Sequence, residues 1–166
     1  MKILLDSSYL LPLIKIEIEK IPNDLLSNLL SVHSNEYYYS SLSTFELTAK
    51  GLKLSSQEKR ITTKDIRIGI DALQQDTRLT EISYIDNPLI IDLASQFRSI
   101  HKDTIDCLIF STAICNCDCI ITMDKSFYKQ ISKNLEIIKE IRKINLNFKF
   151  WFNALSDEIK TLGYEK

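Results

Sequence analysis

The sequence predicts an α/β protein in which helices pack on a mostly parallel sheet. Short apolar runs alternate along the chain with longer segments whose apolar residues recur at helical spacing. Strands separated by helical segments favour a parallel sheet, because parallel strands need a crossover connection. With 166 residues, of which 45% are hydrophobic and 26% charged, the chain is long enough to bury a substantial core. We therefore expect one layered α/β domain.

Five short segments have the apolar, β-branched or aromatic composition of strands. In chain order they are Ile3–Leu5, Tyr37–Tyr39, Thr80–Ile85, Cys119–Thr122 and Leu135–Ile138. The last of these is expected to complete the core, so the domain is predicted to span residues 1–140. Residues 141–166 are then a C-terminal extension that packs on the domain or on another subunit. They are too apolar for a disordered tag, since they include Phe148, Phe150, Trp151, Phe152 and Leu155.

Helical segments are predicted between these strands. Ser7 or Ser8 is expected to cap the first helix, in which Pro12 is tolerable only near the first turn. The later helices are expected to begin at Pro22 and Ser43, to span Gln57–Gln75, to run from Asn87 to about Ile100 and from Ile105 to Cys115, and to span Ser126–Ile131.

Four carboxylates stand beside these apolar segments, at Asp6, Glu46, Asp106 and Asp124. A carboxylate next to an apolar run is costly to bury unless a cation or hydrogen-bond donors hold it. Four of them, in a chain with few candidate nucleophiles, predict a site for a hard metal ion such as Mg²⁺ or Mn²⁺. Asp6 and Asp124 each follow a predicted strand, where open parallel sheets bind their ligands.

The order of these acids resembles the PIN domain family, the nucleases that include VapC-type toxins of toxin-antitoxin pairs. The motifs that carry the resemblance are Asp6-Ser7-Ser8, Glu46-Leu47, the segment from Asp106 to Ala113, and Ile120-Ile121-Thr122-Met123-Asp124. The resemblance covers about residues 1–140. It implies a three-layer α/β/α sandwich and a Mg²⁺- or Mn²⁺-dependent endoribonuclease, in which Asp6, Glu46, Asp106 and Asp124 hold the metal and carry the catalysis.

The same resemblance implies supporting residues and partners. Ser8 and Thr122 match polar positions that support the acids, and Asp103 is a candidate fifth carboxylate on about the same helical face as Asp106. The implied partners are an RNA substrate and an inhibitory antitoxin protein, and homodimers are common in the family. Four lysines are candidates for an RNA path, although an ordinary solvated face is the alternative: Lys50, Lys53, Lys125 and Lys129.

Each acid also has a structural alternative. Ser43-x-x-Glu46 is a capping-box pattern, Asp6 and Asp124 can cap the turns that follow them, and Asp106 can complement a helix dipole. The corresponding functional alternative is a catalytically weak or inactive PIN-like module that binds RNA or another protein.

Other chemistries fit the sequence less well. Ser-His-Asp catalysis is disfavoured because His33 and His101, the two histidines, lie outside nucleophile motifs. His101 is expected to be a solvated residue at a helix end. A haloacid-dehalogenase-like phosphatase would need a second aspartate where Ser8 stands. The four cysteines, Cys107, Cys115, Cys117 and Cys119, lack the spacing of a structural zinc site and are better read as buried reduced thiols.

Composition places few limits on location and substrate. A formal net charge of -1 neither supports nor excludes a nuclease, since metal ions can reverse the sign of an acidic site. The first apolar run ends at Asp6, which is too early for a signal peptide, and no window approaches eighteen consecutive apolar residues. We expect a cytoplasmic protein without a membrane span.

Overall fold

A five-stranded parallel sheet forms the centre of the protein. The structure, a computed structural model, describes residues 1–18, 22, 24–58 and 61–153. The strands are β1 (Lys2–Leu5), β2 (Glu36–Ser40), β3 (Leu79–Ile82), β4 (Cys119–Thr122) and β5 (Lys149–Phe152). Their order across the sheet is β3-β2-β1-β4-β5, and every neighbouring pair is parallel. The chain therefore starts in the middle of the sheet, builds one half, and then crosses to the other side of β1.

Helices connect the strands. They are α1 (Ser7–Leu10), a 3-10 helix (Leu11–Ile14), α2 (Leu25–Leu30), α3 (Ser41–Glu58), α4 (Thr63–Gln75), α5 (Leu89–Phe97), α6 (Thr104–Asn116), α7 (Lys125–Ser132) and α8 (Leu135–Ile144). Among the described residues, no helix is long and apolar enough to cross a membrane.

Each face of the sheet is covered by a separate apolar core. Ile3 and Leu5 of β1 face one core, which also contains side chains from the first four helices, among them Leu29, Leu47 and Leu73. Leu4 faces the opposite core, which is built from the last four helices and includes Leu93, Phe97, Phe110, Phe127 and Ile137. Side chains alternate between the faces because successive residues of a strand point to opposite sides. The predicted three-layer α/β/α sandwich around a parallel sheet is confirmed.

Several predicted boundaries differ from the observed ones. Helix α3 begins at Ser41 and runs past Gln57, so the predicted single helix over residues 57–75 is wrong at its start. Helix α4 begins at Thr63 instead, because the hydroxyl of Thr62 accepts the N–H of Asp65 at 3.2 Å and the Asp65 carboxylate accepts the N–H of Thr62 at 3.0 Å. The cap of α1 is Asp6 rather than Ser7 or Ser8.

The prediction that residues 135–138 form the last strand is wrong. This segment opens helix α8, where Asn134 accepts the N–H groups of Glu136 and Ile137, both at 3.1 Å. Ile137 and Ile141 are buried at the four-residue spacing of a helix, a periodicity that the run of four residues is too short to display. The boundary expected at residue 140 falls inside this helix.

The last strand is β5, which pairs with β4 from Lys149 to Phe152. Its aromatic side chains pack on the domain itself: the Phe150 ring lies 4.7 Å from that of Phe110, and the Phe152 ring lies 5.7 Å from that of Tyr128. Residues 141–153 thus continue helix α8 and the sheet. Leu155 lies outside the described residues.

Three of the four cysteines are buried, as expected of thiols used as small apolar residues. Cys107, Cys117 and Cys119 are buried and free, whereas Cys115 is half-buried. Burial raises the pKa of the Cys107 thiol to about 11, so this thiol is protonated at neutral pH.

Candidate active site

A cavity of about 360 Å³ opens at the carboxyl ends of β1 and β4. Its described lining comprises Asp6, Ser8, Leu11, Ile18, Glu46, Lys50, Asp103, Asp106, Met123 and Asp124. All four predicted acids and the candidate fifth acid therefore surround one space. The position follows from topology: β1 is the strand at which the chain changes direction across the sheet, and ligand crevices form at such points.

Asp6 is held by a network that joins the ends of β1 and β4. Its Oδ2 accepts the hydroxyl of Ser8 at 2.5 Å and the hydroxyl of Thr122 at 2.8 Å. The backbone N–H of Met123 donates to Ser8 Oγ, and that of Asp124 donates to Thr122 Oγ1, both at 3.0 Å. Burial raises the pKa of Asp6 above its usual value, the two hydroxyls oppose this rise, and the charge of Glu46 adds to it. Ser8 and Thr122 thus support the first acid directly.

Two further acids of the cavity begin helices. Asp103 Oδ1 accepts the N–H groups of Ile105 at 2.8 Å and Asp106 at 3.3 Å at the start of α6. Asp124 Oδ1 accepts the N–H of Phe127 at 2.8 Å at the start of α7. The capping alternative is therefore correct for Asp124, and it applies to Asp6 as well. It does not exclude a second role, because a carboxylate has two oxygens.

Glu46 is buried and forms an ion pair with Lys50 one helical turn later. Its Oε1 contacts Lys50 Nζ, while its Oε2 is buried with no hydrogen-bond partner among the described residues. The capping-box alternative fails because α3 begins at Ser41, which places Ser43 inside the helix with its hydroxyl also unpaired. Burial alone would lower the pKa of Lys50, but Glu46 and the charges of Asp6 and Asp106 raise it above its usual value.

Asp106 is paired with a histidine. Its Oδ2 lies 2.8 Å from His101 Nε2, and His101 Nδ1 lies 2.8 Å from Gln130 Oε1. Burial raises the pKa of Asp106, the His101 contact opposes the rise, and the charges of Asp6, Asp103 and Glu46 restore it, to about 7. Burial would lower the pKa of His101, but its hydrogen bonds to Asp106 and Gln130 raise it.

The prediction that His101 is a solvated helix-end residue is wrong. Its side chain is only 11% exposed, and its ring lies 4.6 Å from the ring of Phe127. Sequence reasoning missed this residue because His101 lies between α5 and α6, where no helical or strand period indicates the direction of a side chain. The one available signal was its position five residues before Asp106.

The candidate RNA-binding lysines are not brought together at the cavity. Lys50 lies in the described lining, whereas Lys53, Lys125 and Lys129 are exposed and are not part of it. Their exposure is compatible with an ordinary solvated face and with an RNA path outside the cavity.

The donor set around the cavity suits a hard divalent cation. All five acids offer oxygen ligands, and the unpaired, buried Glu46 Oε2 is an atom that such an ion would satisfy. Within the described ranges, however, no three His, Cys, Asp or Glu side chains are already arranged as ligands of one ion. Binding of an ion would therefore require carboxylates that line the cavity to rotate towards a common point.

Comparisons with known proteins give a likeness to a solved structure. No protein-family model matches the sequence, and no curated protein matches it significantly. A chain in the crystal structure of VapBC2 from Rickettsia felis, bound to a DNA fragment from their promoter, superposes with a TM-score of 0.55. The two chains are 21% identical, and the match covers 91% of this chain and 99% of that one.

This chain has a PIN-like fold. At such low identity the likeness is one of fold, and it extends over nearly the whole of both chains. The chemistry has to be argued from the residues of the cavity.

Proposed function

We propose that the protein is a Mg²⁺- or Mn²⁺-dependent endoribonuclease that hydrolyses RNA phosphodiester bonds, and that it is the toxin of a toxin-antitoxin pair. The observation that carries the proposal is the convergence of Asp6, Glu46, Asp106 and Asp124 on one cavity at the carboxyl edge of the sheet. The PIN-like fold supports it, because the order of these acids along the chain is the one that resembles the nuclease family.

The proposed chemistry divides the acids by how they are held. A bound divalent ion would polarise the phosphate and lower the pKa of an attacking water. Asp6, fixed through Ser8 and Thr122, and Glu46, with its unpaired Oε2, are suited to hold the ion. Asp106 lines the same cavity, and its oxygen that is not paired with His101 is suited to join Asp6 and Glu46 as a ligand of the ion.

Lys50 is the proposed contact for the RNA backbone. In the protein without a bound ion, its ammonium neutralises part of the acidic cluster through Glu46. The Lys50 side chain is half-exposed and flexible, so its ammonium can turn from Glu46 towards a phosphate at the mouth of the cavity.

The expected partners are RNA, an antitoxin protein and, in solution, a second copy of the chain. The likeness to a VapBC2 chain supports the antitoxin partner.

A catalytically weak RNA-binding or protein-interaction module is the second candidate. Two observations favour it. The described carboxylates are not arranged as ligands of a single ion, and Glu46 already forms an ion pair with Lys50. The two candidates differ in their response to divalent ions, because a ligand that binds only the folded state raises the melting temperature.

The test combines cleavage of a panel of structured RNAs with thermal melting, each with Mg²⁺, Mn²⁺ or EDTA. We expect the wild type to cleave and to melt at a higher temperature with Mn²⁺. The variants Asp6→Asn and Asp106→Asn should lose at least about a hundredfold in cleavage rate, since each removes a charge from the transition-state machinery.

The matched control is Asp71→Asn, which removes an exposed carboxylate from α4. It should leave both cleavage and the effect of Mn²⁺ unchanged. Equal cleavage by the wild type and by both cavity variants would refute the nuclease proposal. Absence of any shift with Mn²⁺ would favour the interaction module.

A further inference from the structure

His101 connects the Asp106 carboxylate to helix α7. Its Nε2 contacts Asp106 Oδ2 at 2.8 Å, and its Nδ1 contacts Gln130 Oε1 at 2.8 Å. The amide nitrogen of Gln130 in turn donates to Ser126 Oγ at 3.2 Å. A continuous chain of hydrogen bonds thus leads from the first turn of α7 to a cavity acid that lies on α6.

The rest of His101 is fixed as well. Its carbonyl oxygen accepts two hydrogen bonds. One comes from Nη1 of Arg98, at the end of α5, at 3.1 Å, and the other comes from the thiol of Cys107, on α6, at 3.6 Å. Its ring packs against Phe127 of α7 at 4.6 Å between centroids. Three helices therefore hold both the backbone and the ring, although the residue itself belongs to a connecting segment.

We propose that His101 is a positioning residue that holds the Asp106 carboxylate in the orientation needed to take part in metal binding. This inference rests on the proposed function, because it assigns Asp106 to the metal site. An aspartate side chain can rotate about two bonds. A hydrogen bond to one carboxylate oxygen restricts this rotation and so fixes the direction of the second oxygen. Outer partners of this kind orient metal ligands, and their loss typically costs 10- to 100-fold in metal affinity or activity.

The matched test pair is His101→Gln and His101→Met. The two replacement side chains are similar in length and volume, but only glutamine keeps an N–H that can reach Asp106 Oδ2. Both have aliphatic carbons that can pack against Phe127, so we expect both variants to fold. Thermal melts of the metal-free variants verify this. Affinity for Mn²⁺ is measured by electron paramagnetic resonance of the free ion, and RNA cleavage supplies kcat and KM.

We expect His101→Met to bind Mn²⁺ about tenfold more weakly and to lower kcat, with KM for RNA unchanged. His101→Gln should remain within about threefold of the wild type in both. Equal loss in the two variants, or tighter Mn²⁺ binding by His101→Met, would overturn the inference while leaving the nuclease proposal intact.

Crystal structures of the two metal-free variants separate this inference from the proposed function. We expect the Asp106 side chain to leave its wild-type rotamer in His101→Met and to keep it in His101→Gln. This measurement needs no bound ion, so it tests the orientation of Asp106 separately from RNA cleavage. An unchanged rotamer in both variants would refute it.

Discussion

At the residue scale, three carboxylates that line the cavity also cap helices. Asp6, Asp103 and Asp124 each cap a helix, and all three line the cavity. Capping explains why a carboxylate is tolerated at these positions, since backbone N–H groups stabilise its charge. Glu46 and Asp106 differ, because each is paired with a basic side chain, Lys50 or His101.

The clustering of acids predicts a particular dependence of stability on pH. Asp106 has a pKa of about 7 in the folded protein, and burial raises that of Asp6 as well. Where the folded pKa of a carboxyl exceeds the unfolded value, the folded state keeps a proton that the unfolded chain has released. The free energy of unfolding then falls as pH rises from about 4 to about 7. His101 acts in the same direction, since the stability from its raised pKa is lost as pH rises through the folded value.

We therefore expect the metal-free protein to be more stable at about pH 5 than at about pH 8, by on the order of 2 kcal/mol. Urea denaturation in EDTA at the two pH values measures the difference. Asp106→Asn removes the contribution of this carboxyl, so the stability of the variant should vary less over this range. A wild type that gains stability with rising pH would contradict the prediction.

At the element scale, the close packing of α4 on the 3-10 helix depends on a glycine. A Cβ added at Gly69 would lie 2.3 Å from the carbonyl oxygen of Leu13 and 2.7 Å from Ile14 Cγ2. The carbonyl is part of the backbone and cannot rotate away, so the two helices would have to separate.

We expect Gly69→Ala to lower the free energy of unfolding by about 2 kcal/mol, because the clash outweighs the helix propensity that alanine adds, about 1 kcal/mol. Gly51→Ala is the matched control in α3. There the added Cβ meets Ile66 Cγ1 at 2.8 Å, a side-chain atom that can shift, so the loss should be smaller. Urea denaturation of both variants tests this order, and an equal effect would contradict it.

Elements with strong local patterns were predicted well. Strands β1, β2 and β4 were located because each is a short apolar or aromatic run bounded by polar residues. The segment at residues 135–138 was assigned wrongly because a short apolar run is compatible with both a strand and a helix. The cap at Asn134 and the burial of Ile141 determine which one forms.

At the scale of the whole molecule, the sheet needs residues from both ends of the described chain. Strand β1 pairs with β4, and β4 pairs in turn with β5. Phe148 and Phe150 contribute to the core that covers one face of the sheet. A protein ending at residue 140 would lack β5, both phenylalanines and the last turn of α8.

We expect a chain truncated after residue 140 to lose cooperative unfolding, because the edge of β4 and part of the second core would be exposed to water. Circular dichroism melts and near-ultraviolet spectra of the truncated and full chains measure this. A truncated chain with the melting temperature of the full protein would contradict this expectation and support the boundary predicted from the sequence.

The amino-acid sequence was sufficient for the layered α/β class, most of the strands and the four candidate acids, because these depend on patterns that neighbouring residues display. The tertiary structure decided which strand ends the sheet, which lysine enters the cavity and which side chain holds Asp106. His101 illustrates the reason: its ring is oriented by Gln130, 29 residues further along the chain, and by Phe127. A contact of this kind exists only after the helices have packed, so no local pattern can indicate it.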